Sequence, residues 1–140
     1  MAGGHGYIIL VVDYFTKWAE AMPRFKNDGE TEAIFIFNHV ITRFGVTQAI
    51  VTDHGSHIQN IMMTEISDQL GLRHDQSIPY YPQANGQVED VDKVLTNMIK
   101  HIVITHKSNW HTMPFLALWA YCTSAKTATW FTPFHLVYGL

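Results

Sequence analysis

Tyr7-Ile-Ile-Leu-Val-Val12 is a run of six apolar residues, three of them isoleucine or valine before the last valine. So short a run, apolar on both alternating faces and rich in β-branched side chains, reads as a strand buried on both sides. Asp13-Tyr-Phe-Thr-Lys carries turn residues, and the segment from Trp18 to Met22 reads as a second strand closing a hairpin. A polar connection from Pro23 to Gly29 follows. Apolar residues at Ala33, Ile34, Phe37, Val40, Ile41 and Phe44 then fit a helix over 30–44, capped by Asp28 or Thr31 and ended by Gly45.

The second half repeats the alternation. A short strand over 48–52 delivers Asp53, and Gly55 and Ser56 turn the chain into a helix over 57–70 that Gly71 terminates. A further strand is expected over 72–78. Pro79, Pro82, Asn85 and Gly86 make a loop, read as mobile and lying over the site, before the longest helix, 87–106. A helix over 109–123 is expected to carry Trp110, Leu116, Trp119 and Ala120 on one apolar stripe. Thr132 followed by Pro133 marks the start of a last short helix. The order strand–strand–helix–strand–helix–strand–helix defines a mixed α/β chain.

Two carboxylates stand out against this frame. Asp53 ends a buried strand, and Glu89 sits on the first turn of the helix that follows the loop, with residues 54–88 between them. Such a pair can share a divalent cation, which suits phosphoryl transfer. At about 100° per residue, Lys93, Thr96, Lys100 and Lys107 fall on the face of Glu89, and Val91, Val94, Leu95, Met98 and Ile102 on the opposite, buried one.

The flanking blocks are recognisable. Tyr7 to Pro23, Val51-Thr-Asp-His-Gly-Ser-His57, Tyr80-Tyr-Pro-Gln-Ala-Asn-Gly-Gln-Val-Glu89 and Pro133-Phe-His-Leu-Val-Tyr-Gly139 resemble the integrase catalytic core of gypsy-type LTR retrotransposons, over nearly the whole chain. The resemblance implies a ribonuclease-H-like mixed sheet flanked by helices. It implies a two-metal site of two aspartates and one glutamate, and DNA 3′-end processing and strand transfer as the activity. It makes Asp53 and Glu89 catalytic and metal-binding, with Mg²⁺ or Mn²⁺ as cofactor. Tyr80, Asn85, Lys93 and Lys100 become DNA contacts, Lys100 the least specific of them, and His54 a residue lining the site.

The resemblance also exposes a gap. Family members carry their first catalytic aspartate on a strand that precedes the Tyr7 block, in a Trp-Gly-hydrophobic-Asp motif, and that motif is not in this sequence. Asp13 lies instead at the end of the second strand of the family fold and reads as a turn aspartate. The expectation is an N-terminally truncated core lacking its first central strand, inactive as it stands, with metal held weakly by two ligands. The two strands left with open inner edges would pair directly, borrow a strand from a partner, or fold poorly. Three positions depart from the family pattern: Asp92 for a common Asn, Cys122 for Arg, and Trp130 for Gly, the last where a turn calls for positive φ.

Composition narrows the alternatives. With 140 residues the chain is expected to be a single core-like domain, 1–140, without the zinc-binding module or C-terminal DNA-binding domain that flank this core in the family. One cysteine forbids an internal disulfide and a His/Cys zinc module, and His54 and His57 read as polar loop histidines. The net charge of −3 makes DNA binding weak and salt-sensitive. Only 15% of residues are charged, which leaves room for an interface such as a homo-oligomer, and Trp110, Trp119 and Trp130 would serve one. No apolar run approaches membrane-spanning length. A nuclear or cytoplasmic, intracellular location follows from the family's chemistry. The alternative function is a non-catalytic DNA-binding or dimerisation module derived from an integrase.

Overall fold

The computed structural model describes residues 4, 6–52, 61–76, 82–106 and 108–139; the side chains of 76, of 82–89 and of 92 lie outside that description. The backbone falls into two compact units, residues 24–82 and residues 1–23 with 83–140.

In the second of these units, the strands β1 (Tyr7–Val12) and β2 (Ala19–Arg24) pair as a hairpin. A connection of only six residues leaves antiparallel pairing as the available geometry. Strand β2 runs two residues past the expected end and takes in Pro23, which cannot donate to a ladder; β2 pairs only with β1 among the described residues, so its other edge accepts the proline. The turn is locked by Asp13, whose Oδ2 accepts from the Thr16 N–H at 3.0 Å and from the Thr16 hydroxyl at 2.5 Å. Its N–H and C=O bond Trp18 and Lys17, and Lys17 takes φ 61.

Helix α4 (Pro82–Thr105) crosses this hairpin. Its Val91 and Leu95 form a core with Ala19, Tyr121 and Cys122, against which Leu10, Val12, Trp18, Met98 and Leu118 pack. Tyr121, Cys122 and Leu118 come from α5 (Pro114–Thr123). The expected helix over 109–123 is split: a 3₁₀ turn, Trp110–Thr112, precedes α5, and Pro114, unable to bond back into a preceding turn, opens the new helix. The expected apolar stripe also moves. Pro114, Ala117, Tyr121 and Cys122 face inward, while Leu116 is half exposed and Trp119 is 68% exposed. A helix that is apolar all round gives no pattern from which to choose its buried side.

Thr132 caps α6 (Pro133–Tyr138) by accepting from the His135 N–H, as expected. Phe134 and Tyr138 then pack on Trp18, with ring centroids 6.4 and 5.5 Å away. Before α6, Lys126 accepts from both Thr129 N–H and Trp130 N–H, and donates to the Phe131 carbonyl. Trp130 closes this turn at φ 62 with its ring 84% exposed. The left-handed conformation is a cost to any residue with a Cβ, and here little burial offsets it. Trp130→Gly is expected to stabilise the chain by about 1 kcal/mol, read as a rise in the denaturant midpoint.

The other unit is built on α1 (Gly29–Phe35). Asp28 caps it through its side chain, 2.9 Å from the Thr31 N–H. The Thr31 hydroxyl, and after it this backbone bond, hold the Asp28 carboxyl below its ordinary pKa. The helix continues as a π-helical stretch, Ile36–Ile41, into α2 (Thr42–Phe44), which Gly45 ends at φ +88. The wider π turns shift the phase of the apolar face. Ala33, Phe35, Ile36 and Ile41 are buried, whereas the expected core residues Ile34, Phe37 and Phe44 are 40–45% exposed.

Strand β3 (Ala49–Thr52) pairs in parallel with β4 (Arg73–Gln76), Ala49 opposite Arg73 and Thr52 opposite Gln76. Between them α3 (Ile61–Leu70) packs on α1. Gly71, at φ +66, ends α3 with the Leu72 N–H bonded back to the Ser67 carbonyl at 2.9 Å, the bond a Schellman end makes. The mixed sheet expected from the sequence is thus present, among the described residues, as two separate two-stranded pairings.

Candidate active site on helix α4

Helix α4 carries the candidate residues in one line. Glu89, Lys93, Thr96 and Lys100 recur at spacings of three and four, so they share a face about 16 Å long. Val91, 8% exposed, and Leu95, 1% exposed, hold the opposite face in the core and so fix the helix's rotation. Val94, expected on the buried side, is 46% exposed, because the packed strip is narrower than the apolar arc.

The helix begins at Pro82, five residues earlier than the sequence suggested. Asn85 and Gly86 are therefore helical and not part of a loop, and Glu89 lies two turns in, not on the first turn. Proline is favoured at the first helical position, and one interior glycine costs only about 1 kcal/mol, which a 24-residue helix tolerates. The side chains of Asn85 and Glu89 are outside the described set. Asp53, Tyr80, His54, His57 and Lys107 lie outside the described residues altogether; Asp53 directly follows Thr52, the last residue of β3.

The two lysines are open to solvent. Lys93 Nζ is 4.0 Å from Asp90 Oδ1, a highly exposed pair worth a few tenths of a kcal/mol. Lys100 is exposed and, with Thr96, lines a groove of about 340 Å³ whose walls include Ile8, Leu10, Ile99 and Val103. Nothing in the sequence pattern marked this groove. At the carboxyl end of β3, where open α/β sheets place their ligands, Thr52 Oγ1 and His74 Nε2 are 3.1 Å apart.

Asp13 is committed to its turn through Oδ2, in agreement with its reading as a turn aspartate. Cys122, where the family pattern has Arg, is 4% exposed, and its thiol donates to the Ala19 carbonyl at 3.8 Å. Burial pushes that thiol's pKa up. Beside it burial, with a smaller contribution from Cys122, pushes the Tyr121 hydroxyl up to about 12. The ammonium of Lys126 sits 3.6 Å over the Tyr121 ring, so a cation does reach this corner, from a neighbouring position. Among the described residues no three His, Cys, Asp or Glu side chains converge as a metal site. The expected pair, two carboxylates, is the hard-oxygen donor type that Mg²⁺ takes.

The fold defines the class: a mixed α/β domain of the ribonuclease-H-like, integrase-core kind. It matches the catalytic core domain of bovine immunodeficiency virus (BIV) integrase with a TM-score of 0.78 at 20% identity, over 93% of this chain and 84% of that one. It matches a chain of the simian T-cell lymphotropic virus intasome, in complex with a PP2A regulatory subunit, with a TM-score of 0.80 at 21% identity, over 94% and 48%. Residues 1–82 match the family model described as integrase core domain, and the chain belongs to that family. It is 28% identical over 139 residues to the Gag-Pol polyprotein of avian reticuloendotheliosis virus. To the Pol polyprotein from transposon 412 of Drosophila melanogaster it is 26% identical over 138 residues. The chain spans 99% and 97% of itself in these matches but only 12% and 11% of the polyproteins.

Proposed function

We propose that the chain is the core segment of a gypsy-type retrotransposon integrase, built for metal-dependent processing and joining of DNA 3′ ends. The observation that carries this reading is the line of Glu89, Lys93 and Lys100 along α4, in a chain of the integrase-core family, with the helix rotation fixed by Val91 and Leu95. Asp53 and Glu89 are the carboxylates that would hold Mg²⁺ or Mn²⁺. When bound, such ions polarise the phosphodiester and favour ionisation of the attacking hydroxyl. Lys93 and Lys100, exposed and about 10 Å apart along the helix, take consecutive stretches of a phosphate backbone. Tyr80 and Asn85 contact the DNA end.

This 140-residue stretch by itself is inactive in the proposal, because two carboxylates hold one hard cation loosely and a two-metal site needs more oxygen ligands. Strand-transfer assays on the purified chain with Mg²⁺ or Mn²⁺ should show no joining; robust metal-dependent joining would refute the point. Asp53→Asn should weaken Mn²⁺ binding measured by calorimetry. Lys93→Ala should weaken binding to a DNA-end duplex and lower the slope of log K against log salt by about 1.

A second reading, a non-catalytic DNA-binding or dimerisation module, draws on the bare aromatic face of α5, where Phe115, Leu116 and Trp119 are 49–68% exposed. Under that reading Asp53→Asn is silent in metal titrations, while Trp119→Ser shifts the oligomeric state in sedimentation.

A further inference from the structure

Trp130 carries two unfavourable features at once. Its backbone takes φ 62, which a Cβ disfavours, and its ring is 84% exposed to water. Backbone held in such a region clusters at ligand clamps and other working sites, where the surrounding structure enforces it. Here the turn enforces it: the Lys126 carbonyl accepts from the Trp130 N–H at 2.7 Å, and the Lys126 N–H donates to the Phe131 carbonyl at 3.0 Å. Phe131, itself 49% exposed, lies nearly flat against His135, with centroids 5.1 Å apart and 11° between planes. Ser124, Lys126, Thr127 and Thr129 make up the rest of the turn's functional groups, so both rings stand among hydroxyls and a cation. Charge along the chain is uneven as well. All twelve Asp and Glu residues lie at or before Asp92, while Lys93, Lys100, Lys107 and Lys126 follow it. The stretch that carries Trp130 is therefore cationic, although the whole chain has a net charge of −3.

From these features we propose that Trp130, with Phe131 beside it, is a stacking platform for the unpaired bases of single-stranded DNA. An exposed ring in an acid-free, cationic stretch suits a ligand with flat apolar faces on an anionic backbone, which is a nucleotide chain. A duplex keeps its base faces inside its own stack, so the ligand is a single-stranded segment. It is taken without sequence preference, because every base has such a face. The choice of DNA as the polyanion rests on the function proposed above. The platform itself uses neither the carboxylates nor the lysines of α4.

The test uses the full 140-residue chain and a fluorescein-labelled oligothymidylate of about ten nucleotides, followed by anisotropy at low salt. Trp130→Gly should weaken binding about tenfold without lowering the denaturant midpoint, so that lost binding is not lost folding. Trp130→Asn, also without a ring and tolerant of left-handed backbone, should show the same loss. Trp130→Phe keeps a ring and should stay within about threefold of the unsubstituted chain. An abasic strand of equal length retains the phosphates and lacks the faces; it should bind the unsubstituted chain and Trp130→Gly equally weakly. Absence of saturable binding, an oligothymidylate affinity that Trp130→Gly leaves unchanged, or an abasic strand that binds as well would overturn the proposal. So would a dimer in sedimentation that Trp130→Gly dissociates, since a second copy would then cover the ring. A blunt duplex separates this inference from the function proposed above: its binding should ignore Trp130→Gly and respond to Lys93→Ala. Duplex binding indifferent to Lys93→Ala would count against the α4 reading alone, and duplex binding weakened by Trp130→Gly as much as the single strand would count against stacking.

Discussion

Leu95→Ala should lower the stability of the chain by about 2–5 kcal/mol, the range for emptying a buried leucine site. Leu95 is 1% exposed and sits where α4, β2 and α5 meet, against Ala19, Tyr121 and Cys122. Met98 and Leu118 also pack against this core, and a flexible methionine able to shift into the space argues for the lower part of the range. Urea denaturation followed by circular dichroism measures it; a loss below about 1 kcal/mol would show that the α4 core is not packed as described. In the proposed function, the same substitution should weaken DNA binding in proportion to the unfolded fraction, since the rotation that exposes Lys93 and Lys100 rests on this contact.

Arg24→Met should cost about 3–5 kcal/mol, because it strands a carboxylate in the interior. Arg24 Nη1 donates to Glu32 Oε1 at 2.7 Å, its Nη2 bonds Asn27 Oδ1, and Arg24 and Glu32 are 8% and 9% exposed. Glu32 Oε2 and Arg24 Nε already lack a protein partner, so the pair is incompletely satisfied even when intact. Replacing both residues at once, Arg24→Met with Glu32→Leu, should therefore recover most of the loss. A double-mutant cycle on urea midpoints checks this, and a double variant as unstable as Arg24→Met alone would contradict it.

The contrast between these two sites explains what was legible beforehand. The strands β1 and β3 announce themselves as short β-branched runs, and Asp28, Gly45, Gly71 and Thr132 mark helix ends through chemistry confined to one turn. The positive φ of Trp130 was legible too, because the turn and not the side chain dictates it. Features set by distant partners were not. The Arg24–Glu32 pair joins a strand end to a helix eight residues on, and nothing local tells it from two surface charges. Within the π-helical stretch Ile36 is buried and Phe37 is 43% exposed, though the sequence fits a regular helix with Phe37 on its apolar face. Of the candidate site, Lys93 and Lys100 are exposed on α4, whereas Asn85 is helical where Pro79 and Pro82 together read as a loop.

The early start of α4 has an electrostatic consequence. A helix concentrates positive potential at its first turn, and the effect fades within that turn. With the helix opening at Pro82, Glu89 stands about 10 Å along the axis from this pole. The macrodipole therefore does little to draw an anion toward this stretch of the helix. In the proposed function, attraction of a polyanion to this face falls to the ammonium groups of Lys93 and Lys100, a contribution that ionic strength readily screens.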